Sequence, residues 1–132
     1  MHAITAKLVK SLGNSVREKD VEHAYWTAFQ SHHPGLIEAV GDTDGVLKID
    51  ATHHVLLEVK HDWDFSKPHD VAKALIQALW YIKKLNPIPV AIFIGDENSC
   101  FCLPTGGVPV DDVPEGGLPK YFDDVSLPGI AA

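Results

Sequence analysis

The sequence predicts an α/β fold in the order α-βββ-α-ββ, a mixed sheet flanked by helices. Three observations carry that prediction: two stretches with helical apolar spacing, three short β-type runs between them, and a final pair of β-type runs around a polar turn. One layer of helix on each side would cover such a sheet. At 132 residues, 45% of them hydrophobic, the chain has the size and composition of one domain with a single core.

The first helix is expected over 16–30. "SVRE" at 15–18 matches a capping box, and Val21, Ala24, Tyr25, Ala28 and Phe29 follow at helical spacing. "HHPG" ends it, because Pro34 and Gly35 do not continue a helix. Three β-type runs come next, "LIEAV" at 36–40, "GVLKI" at 45–49 and "HVLLEVK" at 54–60, with "DATH" as a hairpin turn between the last two. Consecutive short strands of this kind are simplest as an antiparallel set. "SKPHD" opens the second helix, with Pro68 near its first position and Asp70 in the first turn, where the helix dipole favours an acid. Val71, Ala74, Leu75, Ala78, Leu79, Ile82 and Leu85 form its apolar stripe. "PVAIFI" and "CFCLP" then flank the turn "GDENS" as a second β-pair. From Thr105 onward glycine, proline and acids dominate, so 105–132 reads as a tail or linker and 1–104 as the folded unit.

Charge and cysteine content narrow the function classes. The formal net charge is −7, and 1–110 hold ten Lys and Arg against thirteen acids. That balance argues against a self-sufficient nucleic-acid binder, because phosphate contacts demand clustered cations. Cys100 and Cys102 share one face of a strand, where a disulfide is not expected; buried thiols in a reducing compartment are the expectation. No apolar run approaches the roughly 20 residues a membrane span needs, and the opening "MHAITAKLVK" lacks a signal-peptide core, so the chain reads as cytoplasmic.

The chemistry concentrates on "HVLLEVK". A period of two puts Leu56, Glu58 and Lys60 on one face and Val55, Leu57 and Val59 on the other. An acid and a base inside a core strand need compensation, since unpaired buried charge costs several kcal/mol. "VGDTDGVLKI" supplies Asp42 and Asp44 at the head of the preceding strand, and antiparallel pairing through "DATH" brings Asp44 close to Glu58 or Lys60. Two carboxylates and an ammonium then converge at one sheet edge. Hard cations such as Mg²⁺ are held by one or two carboxylates plus waters, and a neighbouring lysine can stabilise developing negative charge. Glu22, on the flank of the first helix, and Gln77 and Tyr81, at i and i+4 on the second, could reach the same place.

Asp44, "EVK" at 58–60, the upstream Glu22 and the downstream "QALWY" at 77–81 together resemble the PD-(D/E)XK nuclease superfamily. The Q-x-x-x-Y element is similar to that of RecB-type nucleases and the N-terminal nuclease domains of Type I and related restriction enzymes. The resemblance covers about 15–104 and includes the order of elements. It implies a restriction-endonuclease-like core and Mg²⁺- or Mn²⁺-dependent cleavage of DNA. It further implies metal ligation by Asp44, Glu58 and the backbone carbonyl of Val59, with Lys60 polarising the attacking water. Glu22 would complete an outer shell or second metal site, and Gln77, with Tyr81 near it, would orient the site or contact substrate. Thr43 stands where the motif has proline, which leaves Asp42 as the competitor to Asp44. The partners implied are DNA and a further recognition, methyltransferase or motor domain or subunit, with no membrane.

His32-His33, His53-His54 and His61 could suggest a transition-metal site, but the doublets fall in expected turns and read as solvated. Trp63 and Phe65 could stack on bases, although packing over the second helix suits them better. From another function class, a nuclease-like fold could serve without catalysis as a docking or DNA-positioning module.

Overall fold

The computed structural model describes residues 2–105. Of the expected tail, 105–132, only Thr105 lies within the described residues, where its N–H donates to the Val90 carbonyl at 2.9 Å; 106–132 lie outside them. The elements are α1 (Ala3–Gly13), α2 (Glu18–His32), β1 (Ile37–Glu38), β2 (Val46–Lys48), β3 (His54–Val59), α3 (Pro68–Ile82), β4 (Ala91–Gly95) and β5 (Cys100–Pro104). The sheet runs β1-β2-β3-β4-β5, antiparallel throughout except that β3 and β4, joined across α3, are parallel. The fold is therefore α/β with a five-stranded mixed sheet flanked by helices, as the order of elements predicted.

One helix was not expected. Ile4, Leu8 and Leu12 recur at i, i+4 and i+8, and α1 lays Leu8 and Leu12 against the same core that α2 covers. Its presence displaces the expected capping box. The Ser15 hydroxyl donates back to the Ser11 carbonyl at the end of α1, so it does not cap α2. Asp20 instead accepts the Val16 N–H at 3.1 Å, and α2 starts at Glu18 rather than at 16.

The period-two alternation of β3 sorts the core into two layers. Leu57 and Val59 meet Val21, Ala24 and Tyr25 on the α2 side, together with Ile37 and Leu47. Leu56 meets Ala74, Ala78, Leu79 and Ile82 on the α3 side, with Val46, Ile92 and Ile94. Leu56 and Leu57 are fully buried, each contributing roughly 1.5–3 kcal/mol relative to exposure. Tyr25 reaches across the end of β4, where its hydroxyl donates to the Asp96 carbonyl at 2.9 Å. A Cβ on Gly95 would stand 2.7 Å from the Tyr25 ring, so the absence of a side chain there makes room for the ring against the strand.

Cys100 and Cys102 do share one face, but both are exposed, against the expectation of buried thiols. The reason is topological. β5 is an edge strand whose Phe101 and Leu103 turn toward the α3 layer, so the two cysteines face the other side, Cys100 next to the Tyr25 hydroxyl and both open to solvent. Among the described residues no helix is long and apolar enough to cross a membrane.

Candidate active site

The pairing of β2 with β3 builds the site. Val46 lies opposite Leu56, and continuing that register by two residues sets Asp44 opposite Glu58. Gly45 carries the ladder one step past β2, its carbonyl accepting the Leu57 N–H at 2.9 Å. The next acceptor is a side chain: Asp44 Oδ2 takes the Val59 N–H at 2.7 Å. Trp26 fixes the same segment from α2 by donating its indole N–H to the Asp44 carbonyl at 2.6 Å. Glycine is required between these contacts. Gly45 has φ 145°, and a Cβ would come within 3.0–3.1 Å of Ile37 and Trp26.

Glu58 and Lys60 leave β3 on the α3 side. Lys60 Nζ pairs with Glu58 Oε1 at 3.0 Å and donates to Gln77 Oε1 at 2.6 Å, and it lies 4.8 Å from the centre of the Trp63 ring. The side chains of Glu58 and Lys60 are only 6% and 11% exposed. An acid, an amide and an aromatic face thus surround one buried ammonium. β3 is the central strand, so the convergence is at its C-terminal end and not at a sheet edge as the sequence suggested.

Burial dominates the electrostatics. It pushes the Asp44 carboxyl up to about 6; the Val59 N–H opposes this, Glu18 and Glu22 add to it, and Lys60 opposes it again. Burial likewise pushes Glu58 up to about 7, with Lys60 pulling it down and Asp44 raising it. One ammonium does not offset two desolvated carboxylates. The contacts above use one oxygen of each, Oδ2 of Asp44 and Oε1 of Glu58.

That imbalance is the test of whether a cation belongs here. Among the described residues no group of three or more His, Cys, Asp and Glu side chains is gathered for a metal, so a cage of protein ligands is not on offer. Two carboxylates are nevertheless a donor set that Mg²⁺ or Mn²⁺ accepts when waters fill the remaining positions. A divalent cation would supply the positive charge that Asp44 and Glu58 lack. The residues fit the ion.

Of the other candidates, some bear on this centre and others lie apart from it. Glu22 pairs with Lys19 at 3.4 Å and its charge bears on Asp44. Tyr81, one turn after Gln77, packs against the α3 layer, and its hydroxyl pKa is raised by burial first and then by the charges of Glu58, Asp42 and Asp44. Asp42 is exposed, whereas Asp44 is tied to β3. Asp50, at the β2–β3 turn, binds His53 at 2.8 Å at the far end of the strand. His61 pairs with Glu97 at 3.1 Å, and His32, His33 and His53 are exposed, whereas His54 opens β3 and is half-buried rather than lying in a solvated turn.

Three contributors were missed. Glu18 precedes Glu22 by one turn and bears on both Asp44 and Glu58, a signal present in the i, i+4 spacing. Trp63 was expected to pack and does join the α3 layer, but it also covers Lys60. Glu97, from the β4–β5 turn, accepts the Asp62 N–H at 2.8 Å and holds that residue at φ 62°, so the chain turns sharply just past Lys60. No short-range pattern announces that contact. Set against protein-family models, curated proteins and solved structures, the chain gives no match in any of the three, and function rests on the geometry itself.

Proposed function

We propose that the chain is a Mg²⁺- or Mn²⁺-dependent DNA phosphodiesterase with a restriction-endonuclease-like core, acting as the cleavage module of a restriction-modification-type enzyme. One observation carries the reading: Asp44, Glu58, Lys60 and Gln77, from three separate elements, meet at the end of the central strand. Asp44, Glu58 and the Val59 carbonyl would hold the metal, which when bound neutralises phosphoryl charge and acidifies a water. Asp44 is positioned by the Val59 N–H and, through its backbone, by Trp26. Lys60 stands where negative charge develops, and an ammonium has three protons, of which Glu58 and Gln77 take two. Gln77 and Trp63 keep that ammonium in one orientation. Tyr81, one turn on from Gln77 along α3, would be the candidate to contact the phosphodiester.

A fold retired from catalysis has no use for two carboxylates held against their own desolvation, which favours the active reading over the docking module. Residues 1–110 hold more acids than cations, so the grip on DNA is expected from an attached recognition, methyltransferase or motor component. The test is cleavage of DNA with Mg²⁺ or Mn²⁺ by the chain and by its Lys60→Ala variant. Loss of cutting with the fold intact supports the assignment, and equal cutting by both rejects it.

A further inference from the structure

A cleft of about 610 Å³ opens between α2 and the chain leaving β1 at Ala39. That volume falls in the range of roughly 300–1,000 Å³ that small-ligand sites occupy. Arg17, Lys19, His23, Trp26 and Gln30 line it. Two residues connect it to the site already described. Trp26 donates its indole N–H to the Asp44 carbonyl, and Glu22, which also lines the cleft, bears on the Asp44 carboxyl.

Resting on the phosphodiesterase reading, we propose that this cleft is a subsite for one unpaired nucleotide flanking the scissile phosphate, so that single-stranded or locally opened DNA is the preferred substrate. The half-buried Trp26 packs against the α2-side core and lines the cleft, its edge pinned by a hydrogen bond, a rigid aromatic platform of the kind on which any base can stack. His23 and Gln30 carry donors and acceptors suited to a base edge. Arg17 and Lys19 are exposed and pair with Asp20 at 3.6 Å and Glu22 at 3.4 Å. Surface pairs of this kind are weak and can be exchanged for a phosphate. The two acids also balance the two cations, so the cleft is not the cationic groove that tracks many phosphates of a duplex. A single base with its adjoining phosphate matches that charge balance. A paired base would have to leave its stack to enter.

The test measures binding apart from cutting, in the full chain carrying Lys60→Ala. Fluorescence anisotropy compares a labelled thymidine dodecamer, the same length of abasic sugar-phosphate, and a duplex. Trp26 also lies against Gly45, so truncating it endangers the fold, and the bases are removed from the probe instead. Stacking of one base predicts that the thymidine strand binds about tenfold or more tighter than the abasic strand, and tighter than the duplex. Arg17→Gln with Lys19→Gln, both on exposed side chains, should weaken the thymidine strand several-fold. Equal affinity for thymidine and abasic strands, equal or tighter binding of duplex, no effect of the double substitution, or no measurable binding of the thymidine strand would each overturn the subsite. The two readings separate cleanly. A preference for bases in a chain that cuts no DNA rejects the phosphodiesterase and keeps the cleft, whereas Lys60-dependent cutting without that preference rejects the cleft alone.

Discussion

Replacing Asp44 by Asn should make the metal-free protein more stable at alkaline pH while removing its activity. The unfolded carboxyl ionises near 3.8, and the folded one keeps its proton to about 6. Between those values the folded state binds more protons than the unfolded one, so stability falls as pH rises through the window, and the cost is complete above about pH 7. A shift of about two units corresponds to about 3 kcal/mol at pH 8 and about half of that at pH 5, by 1.36 kcal/mol per unit. Because the side chain is only half-buried, solvent screening leaves an expected gain of roughly 1–3 kcal/mol at pH 8. Asn can still accept the Val59 N–H, so the structural hydrogen bond survives the change. Urea unfolding of both proteins at pH 8 and pH 5 measures the gain and its decline. A variant less stable than the parent at pH 8, or a difference independent of pH, would refute the claim that Asp44 is a charge held at a cost to folding.

Isothermal calorimetry with Mn²⁺ should give a binding signal that Glu58→Ala removes, and at ten times Kd the ion should add about 1.4 kcal/mol to the parent's stability; binding unchanged by Glu58→Ala would move the ion elsewhere, first to Asp42. Gln77→Ala should lower kcat about tenfold to a hundredfold with little change in KM, because it frees the ammonium it now orients; a loss confined to KM would make Gln77 a substrate ligand instead. Gel-shift titration at physiological salt should show micromolar or weaker binding of DNA without sequence preference, and tight selective binding by these 132 residues would contradict the picture of a cleavage module that borrows its grip.

Much of the fold was legible because its signals are local. The stripe from Val71 to Ile82 and the proline at 68 mark α3, and the alternation in "HVLLEVK" marks β3 and already says that Glu58 and Lys60 share a face. The turn at "DATH" fixes the register, and with it the meeting of Asp44 with Glu58. What escaped depends on distant partners. α1 is short and buries only Leu12, and its end captures the serine that would otherwise have capped α2. The exposure of Cys100 and Cys102 follows from β5 being last in the sheet, which alternation within the strand does not reveal. Glu97 reaches the turn after β3 from 35 residues further along the chain, and Trp63 over Lys60, although local, lies in an irregular loop with no periodicity to announce it. The Gln77 contact with Lys60 spans seventeen residues; helical spacing and the motif pointed to Gln77, but neither named Lys60 as its partner.

The central claim is that Lys60 serves chemistry rather than packing. Its direct measurement is metal-dependent cleavage of single-stranded and duplex DNA by the parent chain and by Lys60→Ala, with circular dichroism and urea unfolding run on the same samples. Cutting that needs Mg²⁺ or Mn²⁺ and disappears in a Lys60→Ala protein that remains folded is the expected result. Cutting retained by the folded variant, or activity lost only in proportion to lost folding, would contradict it.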